Sequence, residues 1–167
     1  MITTKRLVLK PYDDNDEDTM IELLTNEKIK ETFMIPDFNT RDEVISMFKK
    51  LQEFSCSQNH YEVGIYKDDY LIGFINDVYM DEVRIELGYV IHPDFHSKGY
   101  ATEALSAAIE DLFEKGFKEI IAGAFETNKS SCRVMEKCGM KLIDKEEDIC
   151  YQGKLQHCIY YSIKKNK

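Results

Sequence analysis

The 167 residues carry 22 Lys and Arg against 31 Asp and Glu, a net charge of −9, which disfavours a nucleic-acid partner because phosphate binding depends on concentrated basic side chains. With 43% hydrophobic and 32% charged residues the chain is neither disordered nor collagen-like, and its length fits a single domain over 1–167. No uncharged apolar run reaches the ~18 residues of a membrane span, and the charged opening Met1 to Lys10 lacks the apolar stretch of a signal peptide, so no membrane partner and a cytoplasmic location are expected.

In chain order, Leu7 to Tyr12 reads as a strand, and Asp16 to Thr25 as a short helix with Met20, Leu23 and Leu24 on one face. Thr40 and Glu43 have capping-box spacing ahead of Val44, Phe48 and Leu51, which predicts a helix to about Ser55. Tyr61, Val63 and Ile65 alternate, Lys67-Asp68-Asp69 makes a polar turn, and Tyr70 to Tyr79 continues extended, giving a hairpin. Arg84 to Ile91 alternates again and sets Glu86, Gly88 and Val90 on one face, with Ile85, Leu87, Tyr89 and Ile91 on the other. The longest helix spans Tyr100 to Lys115, with Gly116 as its stop. A strand over Glu119 to Phe125, a helix from Lys129 to Cys138 and final strands over Lys141 to Lys145 and Leu155 to Ile163 complete the chain. Interleaved strands and helices of this kind predict an α/β mixed sheet flanked by helices. No repeat or Pro/Gly/Ser-rich linker marks a domain boundary.

Cys56, Cys132, Cys138, Cys150 and Cys158 include no Cys-x-x-Cys pair, and His60, His92, His96 and His157 show no His-x-x-x-His or His-Glu-x-x-His spacing. Neither a disulfide framework nor a metal site is expected. The chemistry concentrates instead between Tyr89 and Ala104, where a strand runs through a short turn into the long helix. The first amides of a helix lack intrahelical acceptors and lie at the positive end of its dipole, so such a turn suits an anion. Gly99 and Ala101 leave room for a phosphate to approach the backbone. Neither Gly-x-Gly-x-x-Gly nor Gly-x-x-x-x-Gly-Lys-Ser/Thr is present, which sets aside dinucleotide and nucleoside-triphosphate fingerprints.

His96-Ser97-Lys98-Gly99-Tyr100-Ala101 resembles the pyrophosphate loop of the GNAT acetyltransferase superfamily, Gln/Arg-x-x-Gly-x-Gly/Ala, with His96 in place of Gln or Arg. A second segment, Asn128 to Met140, is similar to the Asn-x-x-Ser-x-x-Val-x-Glu-Lys-x-Gly-Phe motif of the Rim-type ribosomal-protein N-terminal acetyltransferases, Met140 standing for Phe. The resemblance spans nearly the whole chain. It implies the GNAT fold: a mostly antiparallel sheet of about seven strands with one splayed parallel pair, Arg84 to Ile91 and Glu119 to Phe125, flanked by about four helices. It also implies acetyl-CoA as co-substrate. Val90 and His92 would offer backbone groups to the pantetheine and acetyl, Ser97, Lys98, Gly99, Tyr100 and Ala101 would hold the pyrophosphate, and Asn128 would bond the CoA arm or cap the next helix.

Amine acetylation requires a neutral amine, a stabilised oxyanion and a proton for the departing thiolate. Glu86, on the strand face of Val90, is the candidate base through a water, against the reading of an exposed carboxylate paired with Arg84 or a lysine. Ser131 is the candidate acid by resemblance to Rim-type relatives. His157 stands where that branch often carries Asp. Direct attack in a ternary complex is expected, since no neighbouring His in sequence activates Cys132 for a covalent route. The acceptor is expected to be a primary amine, a protein N-terminus or a small and possibly cationic molecule, drawn by the acidic run Asp144 to Asp148 read as a loop between the last strands. The protein would act as a monomer or homodimer. The rival reading is a non-catalytic acyl-CoA-binding regulator, which Glu86 argues against.

Overall fold

Period-two and period-3.6 stretches alternate along the chain, and each becomes an element in the computed structural model, which describes residues 1–166. In order they are β1 (Ile2–Thr3), β2 (Val8–Lys10), α1 (Glu17–Thr25), α2 (Glu27–Thr32), α3 (Arg41–Ser55), β3 (Glu62–Lys67), β4 (Tyr70–Met80), β5 (Arg84–Ile91), α4 (Tyr100–Glu114), β6 (Glu119–Phe125), α5 (Lys129–Lys137), β7 (Lys141–Tyr151) and β8 (Lys154–Lys164). The eight strands follow the order β1-β2-β3-β4-β5-β6-β8-β7 in a mixed sheet. β5 and β6 are parallel, in register from Arg84–Glu119 to Leu87–Ala122.

The expected architecture is present with one strand and one helix more than anticipated. β1 has two residues and α2 six with only Ile29 buried, too short for either periodicity to register. The larger correction is at the end of the chain. The acidic run is not a loop: it lies inside β7, which pairs with β8 through Tyr151–Lys154. Gln152 and Gly153 both have positive φ, 49° and 72°, the conformation of a two-residue hairpin turn that extends the strands up to the turn itself.

The chain divides into two compact units, Met1–Asn76 with Tyr89–Ala104, and Asp77–Gly88 with Leu105–Lys167. In the first, Met20, Leu23 and Leu24 of α1, Ile29 of α2, and Val44 and Phe48 of α3 bury against Tyr12, Tyr66, Leu71, Phe74 and Val90. Thr40 caps α3 by accepting from the Glu43 amide (3.3 Å), while the Glu43 carboxylate accepts from Asn39 rather than from Thr40 (2.6 Å).

In the second unit, β5 presents Ile85 and Leu87 as fully buried residues and Glu86 between them as a partly exposed one. Leu105, Ala108 and Leu112 of α4, Ile120 and Ala122 of β6, and Met135 of α5 are likewise fully buried. Phe125, Cys158 and Tyr160 form a separate apolar cluster with Ile121, Ile143, Ile149 and Tyr151. Among the described residues no helix is long and apolar enough to cross a membrane.

Candidate active site

The predicted site residues fall into two groups, one in each unit: Val90, His92 and Ser97 to Ala101 in the first, Glu86, Asn128 and Ser131 in the second. The first group is a piece of shaped backbone. After β5, Pro93–Phe95 make one 3-10 turn, capped by His92, whose Nδ1 accepts from the Asp94 amide (3.1 Å). With Nδ1 accepting, Nε2 carries the hydrogen and donates to Glu22 Oε1 at 2.7 Å. His96, which replaces the usual Gln or Arg of the loop motif, donates from Nε2 to the Ile91 carbonyl at 2.6 Å and so folds back on the end of β5.

Ser97 and Gly99 then take φ of 60° and 80°, turning the chain into α4. The first bond of that helix runs from the Glu103 amide to the Gly99 carbonyl (3.1 Å), so the amides of Tyr100 and Ala101 precede its ladder. Ser97, Lys98 and Gly99 are exposed, and Tyr100 is buried.

Arg6 was not singled out in the sequence, yet it braces this turn. Its Nε donates to Glu103 Oε2 (2.7 Å), its amide to Glu103 Oε1 (2.8 Å) and its Nη1 to the Lys98 carbonyl (2.8 Å). The guanidinium also lies 4.6 Å from the Tyr100 ring centroid. Thr4 adds a hydroxyl to Glu103 Oε1 at 2.6 Å. Burial pushes the Glu103 carboxyl up, but the bonds from Thr4 and Arg6 outweigh it and leave the group below its ordinary value. A Cβ on Gly99 would come 3.3 Å from Arg6 Nη2. The turn therefore combines amides that precede the helix ladder, a guanidinium and a position that only glycine occupies without strain, which fits the phosphate group the motif implies.

Upstream of the turn, β4 and β5 approach closely: a Cβ on Gly73 would sit 2.0 Å from the Val90 carbonyl oxygen. The His92 amide donates to the Ile72 carbonyl at 2.7 Å. Gly73 is the second residue the sequence reading passed over; a lone Gly in a strand is the signal that marks such a contact.

The second group is built from side chains. Glu86 Oε2 accepts from Lys145 Nζ at 3.2 Å, with the two side chains 13% and 46% exposed. The lysine partner foreseen for Glu86 is thus Lys145, from the run read as an acidic loop, while Arg84 instead pairs with Asp81 (3.0 Å). Lys145 Nζ also lies 4.1 Å from the Tyr160 ring centroid. The Tyr160 hydroxyl donates to Glu147, and burial followed by that bond pushes the phenol well above its ordinary value. Gly123, opposite Tyr160 in the β6–β8 register, leaves room for the ring, since a Cβ there would meet its Cε1 at 2.6 Å. Two further carboxylates of the run, Glu146 and Asp148, meet His157 Nε2 and Nδ1 at 3.0 and 2.7 Å.

Asn128 caps α5, its Oδ1 accepting from the Ser131 amide at 3.2 Å. This is the capping role its position suggested. Ser131 is half-buried in the first turn. Cys132 is buried beside Tyr161, whose phenol is raised to about 12 by burial first and then by Cys132 and Glu136.

A strand, a glycine turn with positive φ and a helix N-terminus are what a CoA loop needs, and residues 6–141 match the family model of the acetyltransferase (GNAT) domain. The chain belongs to this family. It is a GNAT acyltransferase, and its relatives agree: the uncharacterized N-acetyltransferase YnaD of Bacillus subtilis (strain 168) is 32% identical over 146 residues, 84% of this chain and 82% of YnaD. The GNAT fold recurs in an acetyltransferase from Bacillus anthracis, with a TM-score of 0.83 at 24% identity over 98% of this chain and 97% of that one. An acetyltransferase from Salmonella typhimurium that modifies the N-terminal serine of ribosomal protein L7/L12 superposes with a TM-score of 0.83 at 12% identity, covering 98% and 97%. Spermidine N-acetyltransferase from Vibrio cholerae, in complex with CoA and spermine, gives 0.81 at 17% identity, covering 96% of each chain.

Proposed function

We propose that this GNAT protein transfers the acetyl group of acetyl-CoA to a primary amine by direct attack, and that the single domain doing so spans 1–167 and works in the cytoplasm. The observation that carries the reading is the turn Ser97 to Ala101, where positive φ at Ser97 and Gly99 and the Arg6 brace shape the approach to α4. Acetyl-CoA supplies the activated thioester. Ser97, Lys98, Gly99, Tyr100 and Ala101 would receive its pyrophosphate through backbone amides, Val90 and the carbonyl of His92, whose amide is bonded to Ile72, would give backbone groups to its acyl end, and Asn128 would contribute beside its capping role.

Glu86 takes the proton of the acceptor amine, directly or through a water. Its partial burial and its contact with one ammonium group, that of Lys145, support an affinity for amines at this carboxylate. Ser131 protonates the leaving thiolate. Cys132 is buried at 6% exposure, which supports direct transfer over a covalent acetyl-enzyme.

A primary amine is common to the protein N-terminus modified by the Salmonella enzyme and to the spermine bound by the Vibrio enzyme. Neutralising an α-amine of pKa near 8 at pH 7 costs about 1.4 kcal/mol, whereas a lysine-like amine near 10.4 costs about 4.6 kcal/mol. Amines of low pKa are therefore the favoured external acceptors. The acidic run contributes less to their attraction than its charge suggests, because Glu146 and Asp148 meet His157 and Glu147 meets Tyr160.

The experiment is CoA release from acetyl-CoA with a panel of N-terminal peptides, polyamines and amino acids. Release that depends on the amine supports the reading. Acetyl-CoA binding without release for any amine would make the protein a non-catalytic acyl-CoA binder.

A further inference from the structure

We propose that Lys145 is itself an acetyl acceptor, so that with acetyl-CoA and no competing amine the protein acetylates its own Lys145 Nζ intramolecularly. The inference rests on the reading of Glu86 as the base and extends it to a substrate within the chain. Lys145 Nζ donates to Glu86 Oε2 at 3.2 Å, which sets a primary amine of this protein at the carboxylate where an acceptor must deliver its proton.

The arrangement is built rather than incidental to a mobile surface. Two other strands hold the ammonium of Lys145, which sits at the register irregularity of β7 between Leu142 and Glu146: β5 supplies Glu86 and β8 supplies the Tyr160 ring 4.1 Å from Nζ. That ring is seated by the space over Gly123 and by its hydroxyl bond to Glu147. The carboxylate is well covered, with the Glu86 side chain 13% exposed. Lys145 keeps 46% of its side chain exposed, so Nζ stays within reach of a second reactant.

The step balances without any further reagent. The Lys145 ammonium gives one proton to Glu86, and the neutral nitrogen attacks the thioester carbonyl carbon. The new C–N bond forms as the C–S bond breaks, and the second amine proton passes to the departing thiolate as CoA leaves. The product is Nε-acetyl-Lys145, with no positive charge left to pair with Glu86.

The test incubates the full chain with acetyl-CoA in a buffer free of amines and follows acetyl occupancy of each lysine by peptide mass spectrometry. Lys154, exposed at the start of β8, reports uncatalysed modification. Lys145 should be acetylated at least about ten-fold faster than Lys154 because its nitrogen is held at the base. The rate constant should not change on dilution of the protein, and Glu86→Gln should lower it about 100-fold while an acetyl-CoA thermal shift shows that variant folded. Equal rates at Lys145 and Lys154, a rate that grows with protein concentration, or a Glu86→Gln variant as fast as wild type would each overturn the proposal. CoA release with added amines is measured on the same samples: amine-dependent release with Lys145 unmodified leaves the transferase reading standing and removes this one, and absence of both removes both.

Discussion

The turn between β5 and α4 and the cluster around Glu86 solve different problems with different materials. The turn is shaped backbone held by side chains: two positive φ values, fixed by a His cap and a guanidinium that grips carbonyl and carboxylate. Its side chains at Ser97 and Lys98 are exposed, and what matters is the path of the chain. The Glu86 cluster is side chain, an ion pair on an aromatic ring with a second carboxylate bonded to that ring. On the proposed function, the amides of the turn would hold the phosphate of the shared co-substrate, whereas the ionisable groups around Glu86 would set which amine reacts and at what pH.

The comparison breaks most sharply at Gly99. Wild-type protein with acetyl-CoA at 100 times its dissociation constant should gain about 2.7 kcal/mol, a melting-temperature rise of a few degrees. Gly99→Glu should lose that gain entirely, because it puts bulk and negative charge where the proposed reading sets the phosphate and strains a φ of 80°. A full shift in the variant would mean that the turn is not the cofactor site.

Arg6→Ala tests the brace rather than the path, and should weaken acetyl-CoA about ten-fold and lower stability by about 1 kcal/mol, the ion pair being discounted for exposure. The sign with pH follows from Glu103, whose carboxyl is held below its ordinary value. Its contribution is complete above the unfolded pKa of about 4.3 and is lost as pH falls through the lower folded value. Urea midpoints of wild type and Arg6→Ala should therefore converge in acid; a constant gap would assign the effect to packing over Tyr100.

The smallest effect belongs to His157, raised first by its bond to Asp148 and then by that to Glu146. Its stabilisation is present below the unfolded pKa of about 6.5 and is lost as pH rises through the raised folded value. His157→Gln should lower the urea midpoint slightly near pH 6 and leave it unchanged near pH 9. The opposite trend would mean that the imidazole acts through packing alone.

Legibility in the sequence followed the same division. Pro93, Gly99 and the stripe of α4 lie close together in the chain, so the turn could be read from spacing, and β5 and β6 were expected with the bounds they have. Arg6 could not be found that way, because its partner Glu103 is 97 residues distant. The Glu86 cluster joins residues 59 apart, and its lysine both ends the strand expected over Lys141 to Lys145 and sits in the acidic run taken to be a loop. Strand pairing to the Gln152-Gly153 turn overrode that charge and, by alternation, sent neighbouring residues to opposite partners.

The central claim is that Glu86 takes the proton of the acceptor amine while the turn independently holds acetyl-CoA. It is tested most directly by measuring CoA release with saturating amine, and acetyl-CoA thermal shift, for wild type and Glu86→Gln side by side. The account predicts a fall in kcat of about 100-fold or more in the variant with the thermal shift unchanged. Equal turnover in the two proteins across pH 6 to 9 would contradict it.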